Sequence, residues 1–160
     1  TVKLHSPSII FLSATKNNKT CMNRIKMKLK YDSLFVVDPE GKSGGLAAFS
    51  KNEVIVCKVL LTQFTIELLI EDQARDIKWW FISVYASLVD HIREQQWELI
   101  SLRKQLWGRY WIIVGDLNDI VSNDEKWGGN RRFETSFRVF KHFIRSNQLI
   151  DLGFEGKSWT

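Results

Sequence analysis

The most informative segment of the chain reads Tyr110-Trp111-Ile112-Ile113-Val114-Gly115-Asp116-Leu117-Asn118. Its apolar, β-branched first half predicts a buried strand, and the glycine after it leaves room for the close approach of a ligand. On an extended chain, Asp116 and Asn118 lie on one side while Leu117 turns to the core. A carboxylate placed there can take a proton from water, and an amide can hold that water or a phosphate oxygen. The alternative is an Asx-type turn that only closes the strand.

Period-2 and continuous apolar runs predict six further strands around this one. They are Ile9–Leu12, Leu34–Val37, Leu46–Phe49, Val54–Leu61, Phe64–Ile70 and Lys78–Tyr85. We expect Lys78–Tyr85 to be a central strand covered on both faces, because it has almost no polar side. Strands joined by short turns, with helices between some of them, predict an α+β fold of sheet and helix layers.

Apolar residues at helical spacing predict three helices, near Thr20–Lys30, from about His91 to Trp107, and from near Ser136 onward. The N-cap predicted for the third helix is Ser136 or Thr135. The residues predicted to face the core are Met22, Ile25 and Leu29 in the first helix, Ile92, Leu99, Ile100 and Leu106 in the second, and Phe137, Phe140, Phe143 and Ile144 in the third.

Length and composition favour one domain over residues 1–160, with 44% hydrophobic and 26% charged residues, which excludes a disordered chain. No apolar run approaches the ~18 residues of a membrane span, and the N-terminus does not read as a signal peptide. The two cysteines fit neither a disulfide framework nor a zinc site. An intracellular location, nuclear or cytoplasmic, is therefore expected.

Positive charge is concentrated in two segments of a chain that carries 23 Lys and Arg against 18 Asp and Glu. Lys16–Lys30 holds six basic residues and no acidic one, and Lys126–Arg145 holds six against the single Glu134. Such segments could form a phosphate-facing surface. The alternative is that they are the solvated faces of two helices.

The strand followed by Gly-Asp-x-Asn resembles the signature of the endonuclease/exonuclease/phosphatase superfamily, which includes apurinic endonuclease and pancreatic deoxyribonuclease. Other segments match in the right order. They are Ser43-Gly44-Gly45-Leu46-Ala47, the strand end Val84-Tyr85, Glu125-Lys126-x-Gly128-Gly129, and Asp151-Leu152-Gly153-Phe154-x-Gly156 with Trp159-Thr160 after it. The combination is similar to the endonuclease domain of non-LTR, LINE-type retrotransposons of plants.

The resemblance implies a four-layer α/β sandwich that hydrolyses DNA phosphodiester bonds with Mg²⁺, which neutralises charge on the scissile phosphate. It implies that Asp116 orients or deprotonates water, that Asn118 holds the phosphate or the histidine side of the site, and that Tyr85 contacts the phosphate. Tyr85 is equally an ordinary strand-end aromatic. Arg131 and Arg132 are candidate DNA-backbone contacts, with solvated loop charge as the alternative.

The chain departs from this pattern at the metal site. The family carries a metal-binding Glu directly before a Thr-Lys pair, and here Ala14 precedes Thr15-Lys16, so we expect no intact metal site and doubtful Mg²⁺ binding. A metal-contacting Asn would lie before Thr1 and the terminal Ser-Asp-His beyond Thr160, so a domain truncated at both ends is expected.

The resulting hypothesis is a catalytically impaired fragment of a retrotransposon-type endonuclease. Its expected partners are DNA, bound weakly through charge, and a downstream reverse transcriptase domain of a parent polyprotein; no membrane is expected. The alternatives are an inactive nucleic-acid-binding remnant and a phosphomonoesterase of the same superfamily.

Overall fold

The computed structural model describes residues 5–40, 44–126 and 128–153. Within these ranges the chain forms seven β-strands and three α-helices. The chain divides into two compact units, one of Thr1–Ala86 with Trp107–Leu117 and the other of Ser87–Leu106 with Asn118–Thr160. Two parts of the family-like segments, Ser43 and 154–160, lie outside the described residues.

The first unit contains a three-stranded antiparallel sheet of β1 (Ile9–Leu12), β2 (Ser33–Val37) and β3 (Leu46–Ser50), in the order β1-β3-β2. Helix α1 (Lys19–Leu29) covers one face of this sheet. A core of Ile10, Met22, Tyr31, Ala47 and Phe49 lies between helix and sheet. The helix thus buries the side predicted from its apolar spacing.

A second sheet of the same unit has four strands in the order β4-β5-β6-β7. Their bounds are Ile55–Leu61, Thr65–Asp72, Ile77–Tyr85 and Trp111–Asp116. The first three pair antiparallel, whereas β6 and β7 pair parallel. A core formed by Leu46 and Ala48 of the first sheet and Ile66, Leu68 and Ile70 of the second joins the two sheets face to face. The unit therefore has three layers, helix on sheet on sheet.

One carboxylate, that of Glu67 in β5, is fully buried. Thr65 Oγ1 donates to Glu67 Oε1 at 3.1 Å, and Trp107 Nε1 donates to Glu67 Oε2 at 3.0 Å. Hydrogen bonds of this kind offset the cost of removing a polar group from water. The Trp107 ring also lies 5.4 Å from that of Trp111, so Trp107 contacts both β5 and β7.

The second unit is helical and contains α2 (Asp90–Trp107, except its last residue) and α3 (Arg138–Ser146). The Trp97 ring stacks on Phe143 with centroids 4.7 Å apart and contacts Phe140 at 5.4 Å. Asn147 Nδ2 donates to Ser101 Oγ at 2.8 Å, which ties the end of α3 to α2. Short 3₁₀ turns at Asn123–Glu125 and Glu134–Phe137 connect the elements.

All seven strands and all three helices predicted from the sequence are confirmed to within two residues, but the predicted core face of α2 is wrong. Ile100 is buried as predicted. Ile92, Leu99 and Leu106 are 40%, 40% and 60% exposed. The buried side of α2 instead carries Arg93, Trp97, Ile100 and Trp107.

The predicted N-cap of α3 is also wrong. The helix begins at Arg138, and Phe137, without a capping side chain, occupies the N-cap position. Ser136 lies in the preceding 3₁₀ turn, where its hydroxyl donates to the Phe133 carbonyl at 2.7 Å. The Ser136 hydroxyl is therefore hydrogen-bonded within the 3₁₀ turn and does not cap α3.

Among the helices of the described ranges, none has the length and apolarity needed to cross a membrane.

Candidate active site

Two of the predicted site residues meet at one edge of the second sheet. Because β6 and β7 run parallel, their carboxyl ends lie side by side, and Tyr85 is the register partner of Asp116. The Ala86 N–H donates to the Asp116 carbonyl at 2.9 Å and extends this pairing past the end of β6. Neighbouring strands lie about 4.8 Å apart. The structure therefore makes Tyr85 and Asp116 lateral neighbours, which sequence spacing alone could not establish.

The environments of these two side chains differ. Asp116 is exposed. Tyr85 is partly buried and packs against the apolar core between the two sheets. An exposed carboxylate can accept a proton or orient a water molecule, and a phenol anchored by its ring can donate a hydrogen bond from a fixed position. This edge has the chemical groups for binding and activating water beside a phosphate ester.

The backbone of the neighbouring strand β6, and not a ligand, explains why residue 115 is a glycine. A Cβ atom built on Gly115 would lie 2.0 Å from the Val84 carbonyl oxygen, and the residue has φ +125°. A side chain would therefore clash with β6 and force a backbone conformation that L-residues rarely adopt. The expectation that this glycine leaves room for a ligand is wrong, because the space is filled by the backbone of β6.

The argument that placed Asn118 beside Asp116 also fails. It required an extended chain, but β7 ends at Asp116 and Asn118 has φ +50° in the left-handed region. Strand alternation therefore stops before Asn118, a residue type that tolerates this conformation better than most. Asn118 belongs to the second unit, and its role at a phosphate remains a prediction.

The second unit contains an ion-pair cluster, which we call the Arg93 cluster, formed by Arg93, Asp90, Asp119 and Arg132. Arg93 Nε lies 3.1 Å from Asp119 Oδ2, and the two side chains are only 5% and 6% exposed. Arg93 also contacts Asp90 at 2.6 Å and donates to the Ser87 carbonyl at 2.9 Å. Burial alone would lower the pKa of Arg93, but the hydrogen bonds to Asp90 and Asp119 outweigh it and raise that pKa. Arg93 therefore stays charged.

The sequence analysis missed both members of this buried pair. Asp119 directly follows Asn118, and Arg93 lies four and seven residues before Trp97 and Ile100. A basic residue that shares one helix face with two large apolar residues indicates a charge that is buried and paired.

Arg132, one of the two candidate DNA contacts, has partners within its own unit. Its Nη1 lies 3.0 Å from Asp119 Oδ1, its Nε donates to Ser136 Oγ at 3.2 Å, and its guanidinium lies 5.3 Å from the centre of the Phe137 ring. The Arg132 side chain is still 28% exposed. Arg131 is exposed. Their contacts with a nucleic-acid backbone remain predictions.

The Glu-Lys segment after β7 also has local structural roles. Glu125 Oε2 accepts the Val121 N–H at 2.9 Å, and Lys126 Nζ donates to the Asn130 carbonyl. Asn123 bonds both backbone groups of Arg132. These contacts join residues 121–126 to residues 130–132.

The position of the expected metal ligand provides no donor. Ala14 follows β1 in a left-handed conformation with φ +49°. The next two backbone N–H groups, of Thr15 and Lys16, donate to the Gly45 and Gly44 carbonyls at 3.1 Å. Two of the family-like segments are therefore adjacent, but the side chain that should carry an oxygen is a methyl group. In the described ranges no group of three or more His, Cys, Asp or Glu residues could hold a metal ion. These residues do not fit a Mg²⁺ site.

With this geometry established, comparison with solved structures defines the fold. A 3′-5′ exonuclease, NExo, from Neisseria meningitidis superposes with a TM-score of 0.66 at 11% identity, over 91% of this chain and 63% of that one. The catalytic domain of human Nocturnin gives 0.57 at 16% identity, over 89% and 58%. TDP2 from Caenorhabditis elegans gives 0.53 at 13% identity, over 74% and 40%.

These structures have the fold of the endonuclease/exonuclease/phosphatase superfamily, and the likeness establishes the same α+β fold for this chain. The fold class predicted from the sequence is thereby confirmed. The chain spans between 40% and 63% of the length of these structures. No family model and no curated protein sequence matches it.

Proposed function

We propose that the chain is part of a DNA-processing hydrolase of the endonuclease/exonuclease/phosphatase type, and that it is itself catalytically impaired. The observation that carries the proposal is the paired strand end at which Asp116 is exposed beside Tyr85. One neighbour with this fold, NExo, is a 3′-5′ exonuclease in one structure and a 3′ phosphatase bound to a product DNA hairpin in another. These activities supply the class of reaction.

At this strand end, Asp116 would orient a water molecule or accept its proton while the phosphodiester is attacked. Tyr85 would donate a hydrogen bond to a non-bridging phosphate oxygen, where negative charge increases in the transition state. The family resemblance further implies that Asn118 holds a phosphate and that Arg131 and Arg132 contact the DNA backbone without reading its sequence.

Impairment follows from the missing ligand at Ala14. The resemblance to nucleases of this type implies that the reaction uses Mg²⁺, a hard cation that is commonly held by one or two carboxylates. The alanine removes one of those carboxylates, and no replacement cluster exists in the described ranges. Asp116 alone provides a base but no compensation for phosphate charge.

A supercoiled plasmid tests this proposal. The purified chain, with and without Mg²⁺, is compared with Asp116→Asn and with an Asp76→Asn control, which makes the same chemical change at an exposed residue just before β6, at the end of that strand opposite Tyr85. We expect nicking at the rate of buffer alone for all three. Nicking by the wild-type chain that Asp116→Asn abolishes and Asp76→Asn preserves would overturn the impairment and support the assignment of Asp116.

Activity on 3′-phosphorylated oligonucleotides distinguishes a phosphomonoesterase from an endonuclease. Release of inorganic phosphate without strand cleavage would replace the endonuclease proposal with a phosphomonoesterase. Salt-sensitive binding of DNA with neither activity is the result expected of a binding remnant.

We further propose that the parent gene is a LINE-type retrotransposon. The support is the order of the five family-like segments, from Ser43-Gly44-Gly45 to Trp159-Thr160. The reading frame around the chain tests this origin. A downstream Ser-Asp-His followed by a reverse transcriptase domain is expected, and a stop codon directly after Thr160 in an unrelated gene would contradict it.

A further inference from the structure

Helix α2 has two apolar faces, only one of which is buried. The buried face carries Trp97, Ile100 and Trp107, at 2%, 1% and 3% exposure. The other face, which we call the leucine face, carries Ile92, Leu99, Leu102 and Leu106, at 40%, 40%, 67% and 60% exposure. Single exposed apolar residues are ordinary, but four aligned on one helix need an explanation.

The leucine face is a narrow, straight stripe. At 100° per residue, its four side chains and Gln95 fall within roughly 80° of arc, roughly 150° around the helix from the buried face. The intervals from residue 92 through 95, 99 and 102 to 106 alternate between three and four. This is the a/d spacing of a coiled coil, with Ile92, Leu99 and Leu106 at a, and Gln95 and Leu102 at d. Such a stripe fits the apolar side of another helix.

We propose that the leucine face binds a second copy of itself, so that two α2 helices pair in parallel across a two-fold axis. A symmetric pair of this kind makes each a and d residue meet its own counterpart. Gln95 would then face the Gln95 of the second copy, and the two amides can hydrogen-bond each other. A single polar layer in an apolar seam fixes the register of the two helices.

Charge complementarity selects the second copy and the parallel direction. In a parallel pair the g position of one helix lies beside the e position five residues on in the other. Here these positions are Glu98, which is exposed, and Arg103, so both flanks of the seam gain an opposite-charge contact. In an antiparallel pair, e positions face e positions, and these hold Val89, Gln96 and Arg103, which offer no carboxylate to the arginine.

The seam is short, and we expect a weak dimer. It covers about two heptads, less than most stable interfaces, so a Kd of about 10 μM or weaker follows. Packing of Trp97 of α2 on Phe140 and Phe143 of α3 already holds the helix in place, which removes the ordering cost that a free peptide of this length would meet.

Sedimentation equilibrium from about 1 μM to about 1 mM protein tests the dimer. The wild-type chain should change from monomer to dimer over this range. Leu102→Glu and Leu106→Glu should each raise the dimer Kd by about 10-fold or more, because each removes apolar burial from both copies. Met27→Glu on α1 is the control, since Met27 is 73% exposed and lies off the face; its Kd should equal that of the wild type.

Cross-linking tests the direction of pairing. In a Cys21→Ser/Cys57→Ser background, Ile92→Cys should form an intermolecular disulfide, because a parallel seam brings the two residues 92 within disulfide reach. A mixture of Ile92→Cys and Leu102→Cys chains should give no mixed disulfide, whereas an antiparallel seam would favour that product. Circular dichroism confirms that each variant is folded.

A wild-type chain that stays monomeric at about 1 mM would overturn the proposal and leave the leucine face to a different segment or protein. A dimer that Leu102→Glu and Leu106→Glu leave intact would overturn it as well, since the interface would then lie elsewhere. These measurements use no nucleic acid and no turnover, so their outcome is independent of the proposed nuclease function.

Discussion

Replacement of Arg93 by methionine should destabilise the chain strongly, because it breaks a buried ion pair while preserving most of the side-chain volume. The Arg93 and Asp119 side chains are 5% and 6% exposed, and their atoms Nε and Oδ2 are 3.1 Å apart. Removing one partner of a buried pair costs about 3–5 kcal/mol, since the remaining charge is left without compensation. Here Asp119 keeps Arg132 at 3.0 Å. We therefore expect a loss just below that range, about 2–3 kcal/mol.

Urea unfolding followed by tryptophan fluorescence measures this loss. With a urea dependence of about 2 kcal/mol per molar, the unfolding midpoint of Arg93→Met should fall by about 1–1.5 M. Arg75→Met is the matched control, because the Arg75–Asp72 contact is even shorter, at 2.7 Å, but the Arg75 side chain is 74% exposed. Its midpoint should be unchanged, since solvent screens exposed pairs.

A double-mutant cycle with Asp119→Asn isolates the interaction itself. The two changes together should cost less than their sum by about 1.5 kcal/mol or more, because neither charge remains unpaired in the double variant. Equal midpoint losses for Arg93→Met and Arg75→Met, or a coupling near zero, would refute the view that burial makes this pair important.

Three further outcomes are expected. Gly115→Ala should destabilise the chain by about 3 kcal/mol or more, because the added Cβ would lie 2.0 Å from the Val84 carbonyl oxygen. The control Gly108→Ala should cost only about 1–2 kcal/mol, because Gly108 has φ +67° but open space around it. Equal losses of stability in urea unfolding would contradict this prediction. The pKa of Tyr31 is raised by burial and then by the charge of Glu53, so its contribution to stability should be complete below about pH 10 and disappear as pH rises through the folded-state pKa. Alkaline unfolding compared with Tyr31→Phe checks this, and a phenol that titrates at or below its ordinary value by absorbance would exclude it. Addition of about 10 mM Mg²⁺ should leave the Tm unchanged, since ligand binding stabilises only in proportion to occupancy; a rise in Tm that Asp116→Asn removes would reveal a metal site that the described residues do not form.

The positions of the secondary-structure elements were predictable because their signals are local. The apolar runs that end at Leu61, Tyr85 and Val114 each lie between turn residues, and a strand needs little more than such a run. The faces of the helices were less predictable. Helix α1 has one apolar side and was oriented correctly, whereas α2 has two, and periodicity cannot select between Leu102 and Trp97.

The candidate site was predicted in its parts but not in its arrangement. The sequence singled out Asp116 and Tyr85, yet they come from strands whose ends lie 31 positions apart in the chain. Only the parallel pairing of β6 with β7 makes them neighbours. The relation assumed for Asn118 failed because a single left-handed residue ends the alternation on which it was based.

The sequence by itself determined the elements, their order and the residue types available for chemistry, because propensity, periodicity and turn composition act over a few residues. Tertiary structure alone decided three features: the Val84 carbonyl leaves no space for a side chain at Gly115, Arg93 is paired with Asp119, and the leucines of α2 are exposed. These features depend on contacts between distant segments, and their free energy comes from burial and from close approach, neither of which a local pattern contains.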